Sequence, residues 1–146
     1  MLHPIVQAYC EEDVVDIRGF DRNVLHFADE GKFVVRAYPS TDCGNNIGTV
    51  HGGFLAALCD IVGTGAVDTM GRENATLSMN TNFMRPARVD DEYIEATGTI
   101  VKYGRTVAVA EVEIRRPNGD LCVKCTVTCA VFGSPIMEVE RFQHLR

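Results

Sequence analysis

The chain has 146 residues, 46% of them apolar and 23% charged, which is enough for a core without staples and ordinary for a globular protein. A net charge of −6 and a pI near 5.1 remove the basic face that a general grip on nucleic acid requires. No run of about 18 apolar residues occurs, so no membrane span is expected.

The N-terminal stretch carries Glu11, Glu12, Asp13 and Asp16 and lacks both a basic flank and an apolar segment. That composition fits neither a signal peptide nor an Arg-rich transit peptide. The expected location is intracellular, in the cytoplasm or the mitochondrial matrix. The first clear elements are two strand-like runs, Asn23 to Ala28 and Lys32 to Ala37, separated by Asp29-Glu30-Gly31 as a tight turn. Pro39 to Gly48 is polar and turn-forming, and reads as a loop.

From His51 to Met70 the period changes. Phe54, Leu55, Ala57, Leu58, Ile61, Val62, Ala66 and Val67 cover nearly every side of a helical wheel, the pattern of a buried helix. Gly71 is placed to end it. Gly53, Gly63 and Gly65 each weaken helix propensity by about 1 kcal/mol relative to Ala, so they predict close approach of a sheet or of a partner's backbone.

Four strand-like runs follow: Ala75 to Met84, Tyr93 to Lys102, Thr106 to Arg115 and Leu121 to Phe132. In the first, simple alternation puts Leu77, Met79 and Phe83 on one face and Thr76, Ser78, Asn80 and Asn82 on the other. Pro117-Asn118-Gly119-Asp120 holds a strong hairpin signal. Cys122 and Cys125 form a C-x-x-C, but within an alternating strand their thiols point apart, so no metal site is expected. The six cysteines suggest no disulfide framework in a chain of this size and setting. The expected class is α+β, a single domain over 1–146 in which a curved antiparallel sheet wraps one long buried helix. The open sheet edges make self-association a structural expectation.

Chemistry concentrates in two places. Asn45-Asn46-Ile47-Gly48-Thr49-Val50-His51-Gly52-Gly53 leads into the helix, where free N–H groups at the positive end of the dipole suit an oxygen that becomes an oxyanion. The plainer reading is a glycine-rich loop with His51 as a cap. Asp60 stands in the most apolar part of the helix, where an unpaired carboxylate is costly, and reads as a general base or nucleophile or else as a paired structural acid. Asp68, nearer the helix end, reads as a solvated or capping acid. His51 and Asp60 are nine residues apart, about 13.5 Å of helical rise, so one helix cannot bring both to one reacting bond. Two antiparallel copies can, if both residues serve one reaction.

Asn45-x-x-Gly48-x-x-His51-Gly52-Gly53, Asp60 and Asn80-x-x-x-Met84-x-Pro86-Ala87 together resemble the hotdog-fold thioesterases, of the PaaI-like and thioesterase superfamily member 2 type within the 4-hydroxybenzoyl-CoA thioesterase superfamily. The resemblance covers about residues 40 to 133. It implies hydrolysis of a fatty-acyl- or aryl-acyl-CoA thioester to free acid and CoA, a place in lipid metabolism, and assembly as a homodimer or homotetramer. It implies no separate cofactor, since coenzyme A is part of the substrate. By the same resemblance Asp60 is the base or nucleophile, Asn45 positions the carbonyl or water, Gly52 polarises the carbonyl, His51 supports the loop, and Thr76 orients the water or the acid. Arg85, Arg88, Lys102 and Arg105 are the candidates for the CoA phosphates. The alternatives are an acyl-thioester hydratase or dehydratase, and a non-catalytic acyl-CoA binder. Phe54, Leu58, Met79 and Phe83 are left open between lining an acyl pocket and filling the core.

Overall fold

A computed structural model describes all residues, 1–146. The chain opens with helix α1 (Pro4–Asp13), which no clear period in the sequence marks. Its signals are local. Pro4 sits at the start, where a missing N–H costs nothing, and the His3 side chain accepts from the Ile5 N–H at 3.2 Å. Ile5 and Cys10 are fully buried and fix the helix to the body. Strands β1 (Phe20–Asp29) and β2 (Lys32–Pro39) then form the expected hairpin, with Gly31 at φ +82° in its turn. Helix α2 (Gly52–Asp68) follows, and then β3 (Arg72–Phe83), β4 (Ile94–Tyr103), β5 (Val107–Arg115) and β6 (Leu121–Pro135). The tail makes two short 3-10 turns that return to α1.

All pairings are antiparallel, in the order β1-β2-β4-β5-β6-β3. The last four strands are therefore not a simple meander: β4-β5-β6 is one, while β3 crosses to the far edge beside β6. The sheet curls around α2, which packs mainly on β2 to β6 and meets β1 through the edge-on Phe20–Phe54 ring pair. This is the expected α+β hotdog architecture. No helix is long and apolar enough to cross a membrane.

The glycines report how tightly helix and sheet approach. A Cβ on Gly63 would lie 2.6 Å from the Val127 side chain, and one on Gly65 would lie 2.5 Å from the Phe33 ring. On the sheet side, a Cβ on Gly98 would meet the Val62 carbonyl oxygen at 2.6 Å. Gly53 differs, because nothing lies within 4 Å of its Cβ position. Side chains can turn away but backbone cannot. Gly98→Ala is thus expected to cost about 1–3 kcal/mol by overpacking. Urea or thermal unfolding reads this directly, and a midpoint equal to the parent's would contradict the close contact.

Burial of α2 is one-sided. Leu55, Leu58, Cys59, Val62, Ala66 and Val67 are buried, whereas Phe54, Ala57, Asp60, Ile61 and Thr64 remain partly open. The all-round apolar wheel therefore exceeds what this chain's own sheet covers.

Strand β3 departs from simple alternation for a definite reason. Its register against β6 slips between Thr76 and Ser78, so Leu77 is an extra, bulged residue. Before the bulge, Asn74 and Thr76 turn toward α2; after it, Met79 and Thr81 are the half-buried positions, while Leu77 is 62% exposed. The expected two-face assignment holds from Ser78 onward and is inverted at Thr76 and Leu77.

Candidate active site

The loop before α2 is shaped by Asn45. Its Oδ1 accepts from the backbone N–H of Ile47 and of Thr49, both at 3.0 Å, and its Nδ2 donates to the Thr49 hydroxyl. Gly48 takes φ +81° to close the turn. In this chain, Asn45 spends its polar atoms on its own loop. The strand-like bridges Gly44–Val50 and Thr49–Arg88 then aim the chain into the helix.

His51 is the N-cap residue of α2, but its side chain makes no capping bond and is exposed. Its carbonyl accepts from Phe54 at 3.1 Å. The Gly52 and Gly53 N–H groups have no backbone acceptor, as first-turn donors of a helix do not. They are open donors at the positive end of a 17-residue helix.

Hollows flank this first turn on two sides. One, of about 350 Å³, is lined by Val50, Gly52, Leu55, Phe83, Met84 and Pro86, with Arg85. The other, of about 510 Å³, is lined by Ile17, Arg18, His51, Gly53, Phe54 and Ala57. Phe83 and Phe54 are therefore hollow-lining residues. Leu58 is fully buried and belongs to the core, and Met79 packs against that core. Ile17 and Arg18, in the linker after α1, escaped sequence reasoning because nothing in their spacing points to α2.

Asp60 lies two turns further along α2, half-buried, and its Oδ1 accepts from the Thr76 hydroxyl at 2.5 Å. The β3 bulge makes this bond available by turning Thr76 inward. Asp60, Thr64 and Asp68 follow at four-residue spacing and form a polar stripe facing β3, where Asn74 donates to the Thr64 carbonyl and to Asp68 Oδ1. Asp68 is not solvated: it is 3% exposed, and burial, followed by the nearby Asp13 carboxyl, pushes its pKa well above the usual carboxylate range. The expectation of a capping acid fails because β3 and α1 close over this end of the helix.

The structure brings Asp60 to Thr76 and groups Asn45, His51 and Gly52, but the two groups remain apart within one chain. Eight residues of helix separate Gly52 from Asp60, about 12 Å of rise. The four cations also divide. Arg85 lies beside the first turn of α2, and Arg88 is bridged to the loop that feeds it. Lys102 and Arg105 flank the β4–β5 turn, at the end of the sheet where α2 finishes. Cys122 and Cys125 have different neighbours, as their spacing predicts: Cys125 Sγ is 3.3 Å from the Thr81 hydroxyl, and Cys122 Sγ faces the Asp120 carbonyl.

Residues 47–123 match the family model for the thioesterase superfamily. Mouse acyl-coenzyme A thioesterase 13 is 32% identical over 104 residues, which span 67% of this chain and 74% of that protein. A hypothetical thioesterase from Streptococcus pneumoniae, solved with coenzyme A, superposes with a TM-score of 0.79 at 28% identity, covering 88% of this chain and 98% of that one. Solved variants of that protein replace, in turn, an Asp and a Thr sixteen positions apart, the same separation as Asp60 and Thr76. Zebrafish thioesterase superfamily member 2 superposes with a TM-score of 0.75 at 28% identity, covering 90% of this chain and 99% of that one. With this fold and these relatives, the chain belongs to the thioesterase superfamily and is a hotdog-fold thioester hydrolase of the PaaI-like and thioesterase superfamily member 2 type.

Proposed function

We propose that this protein hydrolyses fatty-acyl- or aryl-acyl-CoA thioesters at a site completed by two copies of the chain. The observation that carries the reading is the carboxylate of Asp60, held through one oxygen by Thr76 on a face of α2 that the chain's own sheet leaves partly open. The other oxygen is then free to take a proton from water. Attack on the thioester carbonyl forms a C–O bond and places negative charge on the carbonyl oxygen. The Gly52 N–H, at the positive end of α2, is the donor suited to that charge. Collapse expels the CoA thiolate and leaves the carboxylic acid. No metal or separate cofactor enters these steps.

Two copies are invoked because helical rise keeps Gly52 and Asp60 of one chain apart. An antiparallel neighbour would face its Asp60 toward this chain's first turn. The half-covered face of α2 and the unpaired edge of β3 are the surfaces such a neighbour would cover. The same arrangement would join Arg85 and Arg88 of one copy to Lys102 and Arg105 of the other around the phosphates of one CoA. Asn45 acts by holding the loop that presents Gly52, and His51, exposed beside it, lines the neighbouring hollow. The S. pneumoniae relative was solved with coenzyme A and a Streptococcus mutans neighbour with acetyl CoA, which supports the substrate class.

A thiol-release assay over CoA esters of graded chain length and aromatic character tests the proposal. Release of CoA thiol from at least one fatty- or aryl-acyl series is the expected result. Tight binding of those esters without thiol release, or hydration of an enoyl ester in place of hydrolysis, would overturn it.

A further inference from the structure

A pair of carboxyl groups lies beyond the site just described, at the far end of the same polar stripe. Asp68 of α2 accepts from Asn74 Nδ2 at 2.8 Å through Oδ1, whereas its Oδ2 is buried with no N–H or O–H donor in reach. The neighbouring group is the carboxyl of Asp13, the last residue of α1, which stands within hydrogen-bonding reach of Asp68. Two carboxylates cannot hydrogen-bond unless one carries a proton.

The groups that face the pair from the packed elements are acids, a phenol and thiols, and the cation beside Asp13, Arg141, lines the same surface hollow. Tyr9, Cys10 and Glu12 come from α1, Asp60 from α2, Glu73 from β3 and Cys129 from β6. Arg141, from the C-terminal turns, is engaged with Glu12 at 3.0 Å. A cation is therefore not what reconciles the two acids.

We propose that Asp13 and Asp68 share one proton, and that this bond is a latch that holds the end of α1, and with it the linker 14–19, against α2. The linker matters because Ile17 and Arg18 form one wall of the hollow beside His51 and Phe54. Gly19 packs there so closely that a Cβ would lie 2.8 Å from the Phe54 ring. Asp13 and Asp68 are thus positioning residues for that wall, and the latch depends on pH. Burial raises both carboxyls, so the docked state holds a proton that the released state loses. Docking is complete at low pH and weakens as pH rises from the ordinary carboxylate range toward the raised values. The released population grows by up to about tenfold per pH unit in that window.

Amide exchange of residues 11–19 in the full protein between pH 5 and 9, corrected for intrinsic exchange, reads the latch without reference to activity. The expected result is protection that falls with pH in the parent. In Asp13→Asn it should be high and nearly level, because an amide donates to Asp68 without titrating. In Asp13→Ala it should be low throughout. Parent protection that is level across this range, or an Asp13→Ala profile equal to the parent's, would overturn the latch. The linked effect on catalysis rests on the proposed function. KM for the ester that best fills the hollow should rise with pH, with Asp13→Asn suppressing the rise. If no CoA ester is hydrolysed at all, the amide-exchange result still decides the latch.

Discussion

Replacing Asp60 with Asn is expected to lower kcat by about 10²–10⁴-fold, the range associated with loss of a general base. The substitution is close to isosteric. The amide carbonyl of Asn can still accept from Thr76, so the bond between α2 and β3 survives while the capacity to take a proton does not. Asp60 is half-buried, not sealed in the core, so thermal unfolding should move by only a small amount. Affinity for a non-hydrolysed CoA ester should be retained, because the phosphates and acyl group are held elsewhere. Steady-state thiol release, calorimetric unfolding and ligand titration on the same preparation separate these effects. A variant that turns over at the parent rate would remove Asp60 from the mechanism. A variant that unfolds would make the carboxylate structural instead.

The legible parts of this protein are those carried by short-range pattern. The β1–β2 hairpin, the long apolar helix with Gly71 past its end and the Asn-Gly turn before β6 follow from period and turn chemistry, and the structure reproduces them. The glycines at 63 and 65 announced a close sheet before any contact was known. What escaped depends on long-range placement. Helix α1 is only ten residues long and starts on a histidine cap and a proline, too short a stretch for its period to stand out. The β3 bulge leaves no mark in composition, yet it decides whether Thr76 or Leu77 faces Asp60. Asp68 looked like a helix-end acid because its burial is imposed by α1 and β3, both distant from the local pattern. The four-residue spacing of Asp60, Thr64 and Asp68 was the one available clue that a polar face ran along a buried helix. At the site, the carboxylate and the glycine turn were legible as residues. Their assignment to opposite stretches of α2 follows from rise per residue alone.

That separation leads to a test by mixing. Gly52→Pro should remove the proposed oxyanion donor without breaking the helix, since proline at the first helical position needs no N–H. His51 already has the extended conformation (φ −59°, ψ 141°) that a residue before proline adopts. A Cβ at this position would lie 3.1 Å from the far edge of the Phe83 ring, a side chain that can move. Loss of such a donor is expected to lower kcat by about 10²–10³-fold. Gly52→Pro and Asp60→Asn homodimers should then each be nearly inactive. Coexpressed, half of the dimers are mixed, and each mixed dimer has one site with both lesions and one with neither. Activity should return to about one quarter of the parent's per chain. If Gly52 and Asp60 acted within one chain, every site in the mixture would carry one lesion and nothing would return. The same null result would follow if the protein worked as a monomer, and sedimentation of the mixture distinguishes that case. Recovery near one quarter requires a carboxylate and a helix start that belong to different molecules, the arrangement proposed here because about 12 Å of helical rise separates Gly52 from Asp60 in one chain.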